Sequence, residues 1–183
     1  MPSLITHAAV PLALALAAGP GRVSRPLLAA GLAAAMLPDL DVLVLWLGGP
    51  HASGWGHRGA SHSLLWAGVV ALLGAALHGP LRAGRGQALA WLFVCAASHP
   101  LLDTLTSGGP GVALWWPWLD ERVFAPWRPI RVSPLANRFF SARGAATLAS
   151  ELRWVWLPLL AGAGLWRWIA RPARRDRPAP PPP

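Results

Sequence analysis

Residues 91–109, WLFVCAASHPLLDTLTSGG, decide how the rest of this chain is read. An apolar segment several helical turns long carries His99 and Asp103, and a spacing of four stacks both side chains on one face of a helix. A nitrogen and an oxygen can thus be offered to one small ligand from inside a segment of membrane-like composition. The helix is expected to begin near Gln87 and to run to about Ser107, where Gly108, Gly109 and Pro110 end it.

Composition extends that reading. Apolar residues make up 54% of the 183 and charged residues only 13%, greasier than an ordinary soluble domain, so a membrane protein is expected. Every cation is an arginine, and the net charge is +9. These arginines sit beside apolar runs, as membrane-flanking charges do, so no nucleic-acid partner is expected. A single cysteine, Cys95, excludes an intrachain disulfide and a cysteine-rich zinc site, and reads as small apolar filler.

Around this segment the chain predicts an all-α fold, a polytopic membrane bundle of about five apolar helices in one domain over residues 1–170. Residues 4–19 form the first, only about 24 Å long against a hydrocarbon core of about 30 Å. Residues 26–48 form the second, interrupted by Pro38-Asp39-Leu40-Asp41, and residues 62–77 the third, after the loop GPHASGWGHRGAS. The fifth covers residues 152–170, with Trp154, Trp156, Trp166 and Trp168 as an aromatic belt. Between helices four and five, residues 111–150 alternate WWPWL, VFAPW and RFF with Arg122, Arg128, Arg131, Arg138 and Arg143, which suits the lipid headgroup layer. Trp115, Trp116 and Trp118 read as an anchor in it. Residues 171–183, RPARRDRPAPPPP, predict a disordered tail.

Placing that arginine-rich tail in the cytoplasm puts Arg22/Arg25 and Arg82/Arg85 on the same side. His7, His57, His62, His99 and Asp103 then fall toward the outer side, with Asp39 and Asp41 approaching it. Polar groups from four segments converge at one depth. The five arginines of residues 111–150 argue against this orientation, but the convergence survives a flip.

Three membrane aspartates, at about 2.5 to 3.5 kcal/mol each, need a compensating charge. Arg58 supplies one, leaving about two negative charges for one or two divalent cations. Histidine and carboxylate ligands suit zinc first, then manganese or iron. His57 and His62 flank Gly59 at a loop-to-helix junction that can turn both imidazoles inward. Asp39 and Asp41 point to nearly opposite sides of an intact helix; unwinding at Pro38 would turn both inward, and a regular helix would leave only one as a ligand. His51 and His78 read as solvated histidines, and Asp120, Glu121 and Glu151 as exposed acids.

THAAVPLAL, PDLD, HRGASHSLL and SHPLLDTLTSGG, in this order, resemble the membrane-bound metal-dependent hydrolases of the YdjM/YbcI type. The resemblance covers residues 1–118. It implies an inner-membrane protein, a hydrolase, and metal binding by His7, Asp39, Asp41, His57, His62, His99 and Asp103. A more distant similarity is to zinc-dependent phospholipase C and single-strand nucleases.

The mechanism this predicts is hydrolysis of a phosphoester or lipid-linked ester by metal-activated water. Asp41 serves as ligand or general base, and Arg58 pairs with a substrate phosphate or simply snorkels to headgroups. The competing classes are a transporter or proton pathway and a non-catalytic, metal-stabilised membrane scaffold. Membrane lipid is the expected partner, and oligomeric state is left open.

Overall fold

The computed structural model describes residues 1–43, 47, 54–119, 121–134 and 136–170. His51, Asp120, the far end of the second apolar run and the tail at 171–183 lie outside them. Helix α1 (Ala9–Ala18) follows a 3-10 turn, Leu4–Ala8, and stops at Gly19, whose φ of 88° only glycine adopts at ease. Helix α2 (Arg25–Met36) is capped by the Ser24 hydroxyl, which accepts from Leu27 N, and carries Pro26 in its first turn, where a missing N–H costs nothing. Pro38 cannot continue the α ladder, and the chain tightens into a second 3-10 turn, Leu37–Asp41.

Ser63 caps α3 (Leu64–Ala76) through Trp66 N, and α4 (Arg85–Thr104) carries Pro100 between His99 and Asp103. Residues 105–134 are irregular and tied by two isolated bridges, Thr106 to Ile130 and Val112 to Val123. Among the described residues there is no strand longer than these. Helix α5 (Ala142–Glu151), capped by Ser141, runs through a π-helical turn, Leu152–Trp156, into α6 (Leu157–Ile169). Helix α5 thus lies within the arginine-rich segment of residues 111–150.

Helix α4 is the hub. It packs on α3 and α2, while α1 packs on α6. The core is built of small residues: Ala34, Ala67, Cys95, Ala96 and Ala97 cluster with Leu92. Small side chains let helix backbones approach closely. At Gly74 the approach is so close that any Cβ would overlap Leu92.

Among the described residues no helix is long and apolar enough to cross a membrane. The longest, α4, reaches about 30 Å at 1.5 Å per residue, but Arg85, Gln87, Ser98, His99 and Asp103 dilute its apolar character. The expected apolar runs appear as helices among the described residues. Large apolar side chains nevertheless face outward on α3, α4 and α6, among them Leu72, Leu73, Phe93, Val94, Leu157 and Leu165.

Glu151 departs from the expectation. Expected exposed, it is 1% exposed, because Ser3 N, Ser3 Oγ and Thr6 Oγ1 all donate to its carboxylate at 2.5, 2.6 and 2.7 Å. Trp156 Nε1 donates in turn to Thr6 Oγ1 at 3.1 Å. This network fastens the turn that carries His7 to the junction of α5 with the π-helical turn.

Candidate metal centre

Helix ends bring the polar groups together. His7 lies in the turn before α1, Asp39 in the 3-10 turn after α2, His62 in the short 3-10 turn Ala60–His62 ahead of α3, and His99 and Asp103 one turn apart in α4. All five are buried, four of them completely. His99 Nε2 stands 3.5 Å from Asp39 Oδ1 and 2.9 Å from His62 Nε2. His62 Nε2 stands 3.5 Å from Asp103 Oδ2 and 4.0 Å from Asp39 Oδ1. His7 Nε2 is 3.7 Å from Asp39 Oδ2 and from Asp103 Oδ1, and its ring stacks on His99 at 3.7 Å.

These separations, 2.9 to 4.0 Å, bracket those of ligand atoms around a cation. Bonds of about 2.0 to 2.2 Å in a tetrahedron hold ligand atoms roughly 3.3 to 3.6 Å apart. Two groups, His7 with His99 and Asp103, and Asp39 with His62 and His99, each keep one ligand atom per residue within 4.8 Å of the others. These buried groups can hold a metal ion. Among the described residues both ring nitrogens of His7 and all four carboxylate oxygens of Asp39 and Asp103 lack a hydrogen-bond partner. Asp103 Oδ2 has the Arg58 guanidinium beside it, but leaving the other atoms without a partner costs several kcal/mol, so the donor set fits a divalent cation.

The surrounding hydrogen bonds aim the imidazoles. His99 Nδ1 donates to Ala35 O at 2.7 Å, and a carbonyl only accepts, so the Nε2 lone pair points inward. His62 Nδ1 sits 3.1 Å from Asp41 Oδ2, which holds the same tautomer. The two Nε2 atoms therefore meet at 2.9 Å, an arrangement that calls for a proton or a metal cation between them.

Asp41 and His57 stand one step outside. Asp41 takes His57 Nδ1 at 2.5 Å on Oδ1, and Arg58 N and the Ser61 hydroxyl, both at 2.9 Å, on Oδ2. His57 belongs to neither three-residue group, and meets the centre through Asp41. The 3-10 turn at Leu37–Asp41 is what lets two carboxylates only two residues apart serve one centre. Beside Asp41, a cavity of about 280 Å³ is lined by Ser61, Trp55, Trp66 and Trp116. Trp116 thus lines this cavity, while Trp115 and Trp118 are exposed.

Arg58 is turned inward, against both roles expected of it. It is fully buried, with Nε 3.0 Å from Asp103 Oδ2 and its terminal nitrogens donating to Gly108 O and Thr106 Oγ1 at 3.2 Å. Neither headgroups nor a substrate phosphate can reach a guanidinium so enclosed. Burial pushes it below its usual range, and Asp103 opposes that shift. Its backbone holds a φ of 60°, and the following Gly59 is packed so tightly that a Cβ would overlap Gly54 O. Arg122, unremarkable among five arginines in the sequence, buttresses this loop by donating to His57 O at 3.0 Å and Arg58 O at 3.2 Å. Burial, then the charge of Arg58, lowers its affinity for its proton. Ser61 was also missed, although it stands inside the HRGASHS motif.

Comparison with known proteins follows this geometry. The model of the YdjM inner membrane protein family matches residues 1–173. The chain belongs to that family. It is 47% identical over 172 residues, 91% of this chain and 99% of the relative, to "Inner membrane protein YbcI" of Escherichia coli (strain K12). No solved structure matches. The match of this YdjM family chain extends well past residue 118, so it takes in the arginine-rich segment and α6 as well as the motifs around the centre.

Proposed function

We propose that this protein is a metal-dependent hydrolase of the bacterial inner membrane, with the centre at His7, Asp39, His62, His99 and Asp103. The observation that carries the reading is the set of buried nitrogens and oxygens of His7, Asp39 and Asp103 that have no hydrogen-bond partner. The family's description as inner membrane proteins and the apolar side chains facing outward on α3, α4 and α6 support the location. The site is proposed to face the outer side. Zinc suits the three-imidazole, two-carboxylate set best, with manganese or iron next. A divalent cation would supply Lewis acidity and lower the pKa of water.

The chain's own residues would do the rest. Asp41 fixes the tautomers of His62 and His57 and lines the cavity, so a substrate seated there lies beside it. His57, partly exposed and held through Nδ1 by Asp41, is the residue proposed to pass protons. The tryptophans of the cavity suit an apolar moiety attached to an ester or phosphoester, and a lipid-linked phosphate is the substrate class proposed.

A second reading has its own observation. Complete burial of four of the five ligands suits an ion that ties α2, α3, α4 and the N-terminal turn together without catalysis. Metal content and hydrolysis of a phosphoester and lipid panel, compared between wild type and His57→Ala, separate the two. The hydrolase reading predicts turnover lost with metal retained. Absence of turnover on the panel in metal-loaded wild type would favour the scaffold.

A further inference from the structure

Within the arginine-rich segment, residues 111–150, Arg122 buttresses the loop of the metal centre, whereas other arginines lie away from it. Two of these, Arg131 and Arg143, line a cavity of about 230 Å³ together with Ser107, Val132 and Thr147. They come from different parts of the chain, Arg131 from the irregular run before α5 and Arg143 from its first turn. Neither guanidinium has an ion-pair or hydrogen-bond partner among the described residues, unlike Arg58, which is consumed internally, and Arg128 and Arg153, which lie over Phe124 and Trp154. No carboxylate lines the cavity.

The backbone holds the cavity in shape. Arg131 N donates to Ser150 Oγ at 3.0 Å, Val132 N to Ser107 Oγ at 3.4 Å, and Thr147 Oγ1 to Arg143 O at 3.0 Å. Ser107 N is fastened to Ile130 O at 2.8 Å. Two guanidiniums without a partner among the described residues bring positive charge to one recess that no carboxylate lines. Their planar forks match the oxygens of a phosphate. We infer that Arg131 and Arg143, with Ser107, form a binding subsite for a phosphate-bearing anion, separate from the metal centre. The inference stands whether or not that centre is catalytic.

The ligand comes either as free phosphate or on a lipid headgroup, and two titration arms tell them apart. Full-length protein in neutral detergent is titrated by calorimetry with inorganic phosphate in one arm and short-chain phosphatidate in the other. Saturable binding is expected in at least the phosphatidate arm. It should weaken about tenfold or more in R131A/R143A, two charge-assisted contacts being removed. The single variant R143Q should show a smaller loss. Metal content and helical circular dichroism should stay unchanged, since both side chains are exposed. Binding in the lipid arm alone assigns a headgroup, and equal binding in both assigns the phosphate itself. The variant R128A/R138A removes the same charge elsewhere in the segment and should bind as wild type. No saturable binding in either arm, unchanged binding in R131A/R143A, or an equal loss in R128A/R138A would overturn the inference.

Discussion

Replacing Asp103 by asparagine, which keeps the shape and removes the charge, separates the two jobs of that carboxylate. Asp103 faces His7 and His62 with one set of contacts and Arg58 with another, at 3.0 Å from Nε. In Asp103→Asn the Arg58 guanidinium remains fully buried without its counter-charge. Breaking a buried pair from one side costs about 3 to 5 kcal/mol. In a chain of this size that lowers Tm by roughly 6 to 20 °C. The cation site also loses a negative ligand, so metal should no longer stabilise the fold. The assay is thermal unfolding in detergent, followed by tryptophan fluorescence, with and without EDTA. Wild type should melt lower when EDTA is added, and Asp103→Asn should melt low in both conditions. The double variant R58M/D103N removes both charges and should recover part of the loss, since replacing both partners of a buried pair is far cheaper than removing one. Recovery stays partial because Gly108 O and Thr106 Oγ1 lose their donors, and the response to EDTA should not return. A single variant that melts as wild type, or a double variant that regains the EDTA response, would refute the reasoning.

Other expectations follow from the same contacts. Glu151→Ala strands three buried donors at Ser3 and Thr6, costing about 3 kcal/mol or more, and because His7 shares that turn, metal occupancy by elemental analysis should fall with Tm. Gly59→Ala drives a Cβ into Gly54 O and to 2.7 Å from Gly56 O, both backbone atoms, so a loss of about 1 to 3 kcal/mol is expected in thermal unfolding, with weaker metal retention. Bound metal should be released as pH falls, because imidazole and carboxylate ligands bind only when deprotonated; a colorimetric chelator should register release on acidification, whereas release on raising the pH from neutral toward 8 would contradict a histidine-carboxylate site.

Much of this arrangement could be read from local patterns. The spacing of His99 and Asp103, the proline before Asp39 and the ends of the apolar runs are short-range signals, and the helix termini meet where those signals point. Long-range partnerships carry no such signature. Glu151 reads as a solvent-facing acid because its donors, Ser3 and Thr6, lie about 150 residues earlier. Arg58 sits in a glycine-rich loop of the kind that grips phosphate, and only the packing of residues 106–109 around it reveals that it is enclosed. Helix α5 escaped notice because its sequence, ARGAATLASE, has too few large apolar residues to mark a face, although Ser141 offers a cap. The apolar runs are legible in the sequence, but not that the turns at Leu4–Ala8 and Leu37–Asp41 and the polar end of α4 lead their ends into the centre.

The most direct measurement is the metal-to-protein ratio of the full-length protein purified in detergent and dialysed against metal-free buffer, compared with His62→Ala and His99→Ala. At least one divalent ion per chain is predicted in wild type, sharply reduced in both variants while helical circular dichroism is retained. Wild-type protein that is folded, free of metal, and unmoved in Tm by added zinc, manganese or iron would contradict the account at its root.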